Sequence, residues 1–147
     1  MKIYIGSDHG GFDEKRKIIS FLEKKGYVVQ DMGPFEFNPK DDYPDYVIPL
    51  AQKVAKSRGV LGIVLCRNGQ GVCIATNKVK GIRAVTGFSV KEAKTTRADD
   101  NANVLSLPAD YLDVKLMKRI VLAWLSTPFS KSPRHVRRLN KVKRFER

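Results

Sequence analysis

The chain has 147 residues, with 28 Lys and Arg against 15 Asp and Glu, a formal net charge of +13. At 42% hydrophobic and 29% charged it is too apolar for a disordered chain, and its length suits a single domain, residues 1–147. No run of about 18 apolar residues is present to span a membrane, and the N-terminus lacks the apolar centre and cleavage site of an export signal. Two cysteines, Cys66 and Cys73, are too few for a disulfide framework, so the expected compartment is the reducing cytoplasm.

The basic residues are unevenly placed. Residues 131–147 hold Lys131, Arg134, Arg137, Arg138, Lys141, Lys143, Arg144 and Arg147 against Glu146, a net +7 of the +13. Such a tail suits nucleic acid, an anionic membrane surface or a phosphorylated small molecule, and charge does not choose among them.

Lys2–Gly6 reads as a short buried strand ahead of a glycine-rich break. The spacing predicts a helix over Asp13–Lys25, with Ile18, Ile19 and Leu22 on one face and Gly26 as its stop. Tyr27–Gln30 is a second strand and Gly33–Asp42 a loop. Asp45 is expected to cap a helix whose apolar face is Val47, Leu50, Ala51 and Val54, with Pro49 near its first turn. Val60–Cys66 is the strongest strand signal, apolar throughout as for a strand covered on both faces. Gly69–Gly71 opens a helix to about Lys78; Arg83–Thr86 is a fourth strand, Val90–Ala98 a helix and Asn103–Leu107 a fifth strand. Asp110 with Asp113 begins a long helix carrying Leu112, Leu116, Ile120, Val121 and Trp124, ended by Thr127-Pro128. Ser132-Pro133 reads as an N-cap followed by Pro at the first helical position. The last helix carries Val136, Leu139, Val142 and Phe145 as an apolar stripe beside the basic residues. Alternating strands and helices predict an α/β fold, a parallel sheet covered on both faces that binds ligands beyond the carboxyl ends of its strands.

Two segments lie at that edge. Cys66-Arg67-Asn68-Gly69-Gln70-Gly71 joins the buried strand to a helix. Its glycines allow a tight turn that aims N–H groups at an anion or a developing oxyanion. A cysteine beside a helix N-terminus and an arginine is expected to favour its thiolate. The plainer reading is a small buried residue at a strand end, and Cys73 reads as core. The loop is no dinucleotide fingerprint, since Ile74 stands at the third glycine position, and no P-loop. Asp8 and His9, after the first strand, suit sugar hydroxyls or proton transfer, or equally a capped turn. Arg134 and Arg138, four apart on either side of His135, present two guanidinium forks suited to phosphate, against the reading of a solvated basic helix. Asp99 and Asp100 are either acid/base groups or a polar helix end. No set of His, Cys, Asp or Glu has metal-ligand spacing, so neither a metal nor a cofactor is expected.

Together the pieces resemble the ribose-5-phosphate isomerase type B family, which includes the galactose-6-phosphate isomerase subunits, from Met1 to about Val142. They are Gly6–Phe12, Asp42-Tyr43-Pro44-Asp45-Tyr46, Cys66 with Gly69-x-Gly71 and Asn77-Lys78, Gly81-Ile82-Arg83-Ala84, Asn103-Val104-Leu105, and Arg134-His135-x-x-Arg138. The resemblance implies a three-layer Rossmann-like sandwich with a five-stranded parallel sheet and a C-terminal helical arm. It implies a homodimer or tetramer with active sites between subunits, and metal-free aldose–ketose isomerisation of a sugar phosphate through an enediolate. In that scheme Cys66 is the base moving the proton between C1 and C2. Arg67, Asn68, Gly69, Gln70 and Gly71 form the segment that holds the enediolate oxygens. Asp8 and His9 contact the sugar, and Arg134 and Arg138 clamp the phosphate, so the tail serves a phosphate and not nucleic acid.

Several positions depart from the family pattern. Arg67 and Asn68 replace Gly and Thr, Asp99 stands where the family has a ring-opening His, Asp100 where it has Asn, and Asp110 where an auxiliary Arg is common. The departures imply an open-chain substrate such as a tetrose phosphate, or Asp99 in place of the His with its pKa raised by burial or by Asp100, or an altered activity. The expected activity is isomerisation of ribose 5-phosphate to ribulose 5-phosphate, or of a related aldose phosphate. The alternatives are a sugar-phosphate or nucleic-acid binding module and one subunit of a hetero-oligomeric isomerase. Phe145 is the single aromatic residue of 131–147, which leaves no stacking platform for nucleic acid.

Overall fold

The stretch Leu61–Cys66 (β3) dictates the layering. All six residues are buried and they alternate: Leu61, Ile63 and Leu65 enter one apolar cluster, Val64 and Cys66 another on the opposite face. The remaining strands are β1 (Lys2–Ser7), β2 (Val28–Asp31), β4 (Ala84–Thr86) and β5 (Val104–Pro108). The computed structural model describes residues 1–146 and pairs these strands in one parallel sheet of order β2-β1-β3-β5-β4. Helices α1 (Phe12–Lys24), α4 (Val90–Ala98) and α5 (Val114–Ser126) cover one face, around Ile18, Leu22, Ile120 and the fully buried Trp124. Helices α2 (Pro44–Lys56) and α3 (Gln70–Asn77) cover the other, with Val47, Leu50, Val54 and Val72. This is the expected three-layer α/β sandwich, followed by the C-terminal helix α6 (Pro133–Phe145), whose end is tied back by the Gly81 N–H donating to Glu146 Oε1 at 2.6 Å.

Element boundaries shift where local chemistry differs from the periodicity. A 3-10 turn, His9–Gly11, precedes α1. Helix α2 begins at Pro44 with Tyr43 at the cap position, so Asp45 is a first-turn residue rather than the cap. Pro49 lies inside that helix, beyond the first turn, where its missing N–H removes the bond to the Asp45 carbonyl. Asp113 caps α5, accepting from the Leu116 N–H at 2.7 Å, while Asp110 stays in the preceding turn. Ser132 occupies the α6 cap position without a side-chain bond; Ser130 Oγ accepts the Ser132 N–H instead and pairs with His135 Nδ1 at 2.9 Å.

One buried ion pair fixes the long loop between β2 and α2. The Lys15 side chain is 0% exposed, and its ammonium donates to both oxygens of Asp31 at 2.6 and 2.8 Å and to the Pro34 carbonyl at 2.7 Å. Removing one partner of a buried pair leaves the other charge uncompensated. Lys15→Ala is therefore expected to lower stability by about 3 kcal/mol, the low end for such pairs because Asp31 keeps some solvent. Urea unfolding checks it: Lys15→Met with Asp31→Asn is expected to recover part of the loss, and no change in the single variant contradicts it.

Chain direction sorts the candidate residues by sheet edge. Asp8 and His9 follow β1, Cys66 ends β3 with Arg67–Gly71 after it, and Asp110 follows β5, so all lie at the carboxyl edge. The chain passes from β1 outward to β2 and then back across to β3, so the strand order reverses between β1 and β3, where such sheets open a crevice. Asp99 and Asp100 follow α4 and precede β5, which places them at the amino edge. The length of β5 alone separates the two edges by roughly 13 Å.

Candidate active site

Cys66 ends β3 on the face covered by α2 and α3, with 5% of its surface exposed. Its Sγ lies 3.8 Å from Asn68 Oδ1, and the same oxygen accepts the Gln70 N–H at 3.0 Å, which turns the chain into α3. Gly69 adopts φ +71°, a left-handed conformation that favours glycine, and its carbonyl accepts the Ser106 hydroxyl. Gly71 is required by packing: a Cβ there would stand 2.7 Å from Cζ of Tyr43, so the Asp42-Tyr43-Pro44 segment closes on the Cys66 loop. The loop is also tied to the segment after β5, with the Ala109 N–H donating to the Cys66 carbonyl at 2.9 Å and the Asp110 N–H to the Arg67 carbonyl at 2.8 Å. Cys73, expected in the core, is half-buried with its Sγ 3.5 Å from the Ala84 carbonyl; burial pushes its thiol above the ordinary value.

Across the crevice, Asp8 is buried and accepts the Gly10 N–H at 2.8 Å. Burial raises its carboxyl above the ordinary carboxylate range, against the lowering effect of the Gly10 amide and His9. His9 donates its backbone N–H at 3.0 Å to Asp41 Oδ1, and its ring Nδ1 lies 2.7 Å from the same oxygen. Asp41 is a site residue that the sequence reading missed. The loop that carries it has no periodicity, and the motif adopted from the resemblance begins one residue later. Asp8, His9 and Asp41 bring donor atoms within 4.8 Å of one another, a grouping that sequence spacing did not reveal. The 2.7 Å separation of His9 Nδ1 and Asp41 Oδ1 is that of a shared proton; two ligands on a first-row metal at about 2.1 Å would stand about 3 Å apart or more.

The two departures Arg67 and Asp110 meet each other. The Arg67 guanidinium lies 3.7 Å from Asp110 Oδ2, and the Arg67 stem packs against Gly10, where a Cβ would come within 2.6 Å of it. Both side chains are largely exposed, and a pair of this kind contributes at most about 1 kcal/mol. Beside this loop, Asn68, Gln70, Thr86, Phe88, Pro108 and Tyr111 line an open cleft of about 500 Å3. Phe88 and Tyr111 are 63% and 76% exposed.

The other predicted residues gather at the amino edge. Asp99, half-exposed at the end of α4, lies 3.7 Å from Nδ1 of His135, which is buried. Arg97 braces the turn that follows, donating to Asn101 Oδ1 at 3.1 Å and to the Ala102 carbonyl at 2.5 Å while stacking over Trp124. Burial pushes its guanidinium below the ordinary value, and Arg83 adds to the effect. Arg134 and Arg138 are exposed on α6, whose Val142 and Phe145 are also uncovered. The structure thus assembles Cys66, Asn68, Asp8, His9 and Arg67 at one edge, and Asp99, Asp100, Arg134 and Arg138 away from them.

Among the described residues no helix is long and apolar enough to cross a membrane. The model of the Ribose/Galactose Isomerase family matches residues 3–142. The chain is 40% identical over 147 residues to the ribose-5-phosphate isomerase B of Mycolicibacterium paratuberculosis, covering 100% of this chain and 92% of that protein. It is 41% identical over 145 residues to a probable ribose-5-phosphate isomerase B of Mycoplasma pneumoniae, covering 99% and 95%. The structure superposes on Mycoplasma genitalium ribose-5-phosphate isomerase B, crystallised with bound ribulose-5-phosphate, with a TM-score of 0.95 at 42% identity, covering 99% and 95% of the two chains. With a family match over nearly its whole length and relatives this close at full coverage, the chain belongs to the ribose/galactose isomerase family.

Proposed function

We propose that the chain interconverts the aldose and ketose forms of a sugar phosphate, ribose 5-phosphate and ribulose 5-phosphate in the first instance, in the cytoplasm. The observation that carries the reading is Cys66 at the carboxyl end of β3, beside Asn68 and next to β1, the strand that the Asp8–His9 turn follows. Cys66 takes the proton from one of the two carbons C1 and C2 and returns it to the other. The Arg67–Gly71 segment holds the two oxygens of the enediolate, whose charge develops only in the transition state. Asp8 and His9 hold sugar oxygens.

The phosphate clamp comes from a second copy of the chain. Arg134 and Arg138 stand at the opposite edge from their own Cys66, with Asp99 and Asp100, and a homodimer lets the arm of one protomer close the crevice of the other. Exposed Phe88 and Tyr111 beside the Cys66 loop, and the uncovered stripe on α6, favour such a docking. A binding module without turnover would need no thiol at this position. Conversion of ribose 5-phosphate by the purified chain tests the proposal, and failure to convert any four-, five- or six-carbon aldose phosphate contradicts it.

Asp99 bears on the substrate. It stands where the family has a ring-opening His, and its carboxyl lies 3.7 Å from His135 Nδ1. Asp99→His is expected to raise kcat for ribose 5-phosphate by about tenfold and to leave kcat for erythrose 4-phosphate, which has no furanose ring to open, unchanged. Equal effects on the two substrates in a steady-state comparison contradict a ring-opening role for this position.

A further inference from the structure

We infer that Asp41 is a positioning residue for His9: it holds the ring with its proton on Nδ1 and leaves Nε2 as the atom offered to the substrate. The inference rests on the isomerase reading of the same crevice. Asp41 Oδ1 meets one residue twice, accepting the His9 backbone N–H at 3.0 Å and lying 2.7 Å from ring Nδ1, so it fixes both where His9 sits and how its ring turns. The carboxylate accepts only, so the proton belongs to the ring nitrogen that faces it. Only 3% of the Asp41 side chain is exposed, against 22% of the His9 side chain, so the acid lies deeper than the imidazole. Its second oxygen is buried without a hydrogen-bond partner among the described residues. The carboxylate also acts on Tyr46, whose phenol is raised above its ordinary value by burial and by Asp41.

This arrangement is costly if it is only structural. A buried carboxylate costs desolvation that an apolar residue at the same place would not. An acid behind an imidazole does have a use where the imidazole must present one chosen nitrogen to a substrate oxygen.

The test uses the full chain, in which His9 and His135 are the two histidines. In wild type, 15N–1H correlation spectra are expected to show His9 with its proton fixed on Nδ1. Asp41→Asn, whose amide can turn its NH2 towards the ring, is expected to lose that preference, to raise KM for ribose 5-phosphate by about tenfold and to change kcat by less than about threefold. Asp41→Glu is expected to restore part of the KM. A merely structural Asp41 would lower the melting temperature and leave the tautomer and KM in place, and that result overturns the inference. So does a wild-type His9 whose neutral ring carries its proton on Nε2, a measurement that holds even where Asp41→Asn fails to fold. A wild type that binds but never turns over ribose 5-phosphate counts against the isomerase reading, while the spectrum still decides the tautomer.

Discussion

Cys66→Ala is expected to lower kcat for ribose 5-phosphate by about 10²–10⁴-fold, the contribution typical of one positioned proton-transfer group. The thiol lies at the end of the central strand, almost wholly shielded, with Asn68 Oδ1 at 3.8 Å and the α3 N-terminus just beyond it. Alanine removes one sulfur from a face that keeps Val64, Val72 and Ala75, so the fold survives and the loss reports on chemistry. Cys66→Ser is expected to fall nearly as far, because a hydroxyl near neutral pH does not ionise as a thiol does. Product formation followed spectrophotometrically, beside a thermal melt, checks both. A variant that keeps more than a tenth of wild-type kcat would move the proton transfer to another group.

The second large effect concerns the arm. Arg134→Ala with Arg138→Ala is expected to raise KM for ribose 5-phosphate by about 10²-fold or more, since two charge-assisted contacts to a phosphate are lost together. Both side chains are exposed in the isolated chain, so stability should hardly change. The matched control is Arg137→Ala with Lys141→Ala, which removes the same charge at the same four-residue spacing from a different pair on α6. Equal losses in the two double variants would mean that the arm attracts substrate through net charge and does not clamp it. Rising salt would then abolish the difference from wild type.

The layering was legible because β3 is apolar on both faces and because strands alternate with helices throughout; the boundaries were off by a residue or two at helix ends. Tyr43 takes the cap of α2 because Pro44 fits the first helical position, a local preference that outweighs the acid at Asp45. The Cys66 loop was legible because two glycines follow a buried strand, although the need for Gly71 comes from the ring of Tyr43, 28 residues earlier in the chain. What periodicity hides is polar contact over distance. Lys15 reads as a solvent-facing lysine on an amphipathic helix, yet it is fully buried against Asp31. Asp41 sits in a loop with no pattern, 32 residues from the histidine it holds. Arg67 and Asp110, separate departures in the sequence, turn out to face each other. The division of the candidate residues between two sheet edges needed no side-chain detail: Cys66 follows a strand and Asp99 follows a helix, so one chain cannot bring them together.

Subunit complementation reads that division directly. Cys66→Ala chains and Arg134→Ala/Arg138→Ala chains, each nearly inactive alone, are unfolded together and refolded as a mixture. In the proposed homodimer, random pairing makes half of the dimers hybrid, each with one site that joins an intact Cys66 to an intact arm, so activity should recover to about one quarter of wild type. A mixture as inactive as its two components would place thiol and guanidinium groups in the same protomer's site, or in none, and would contradict the account.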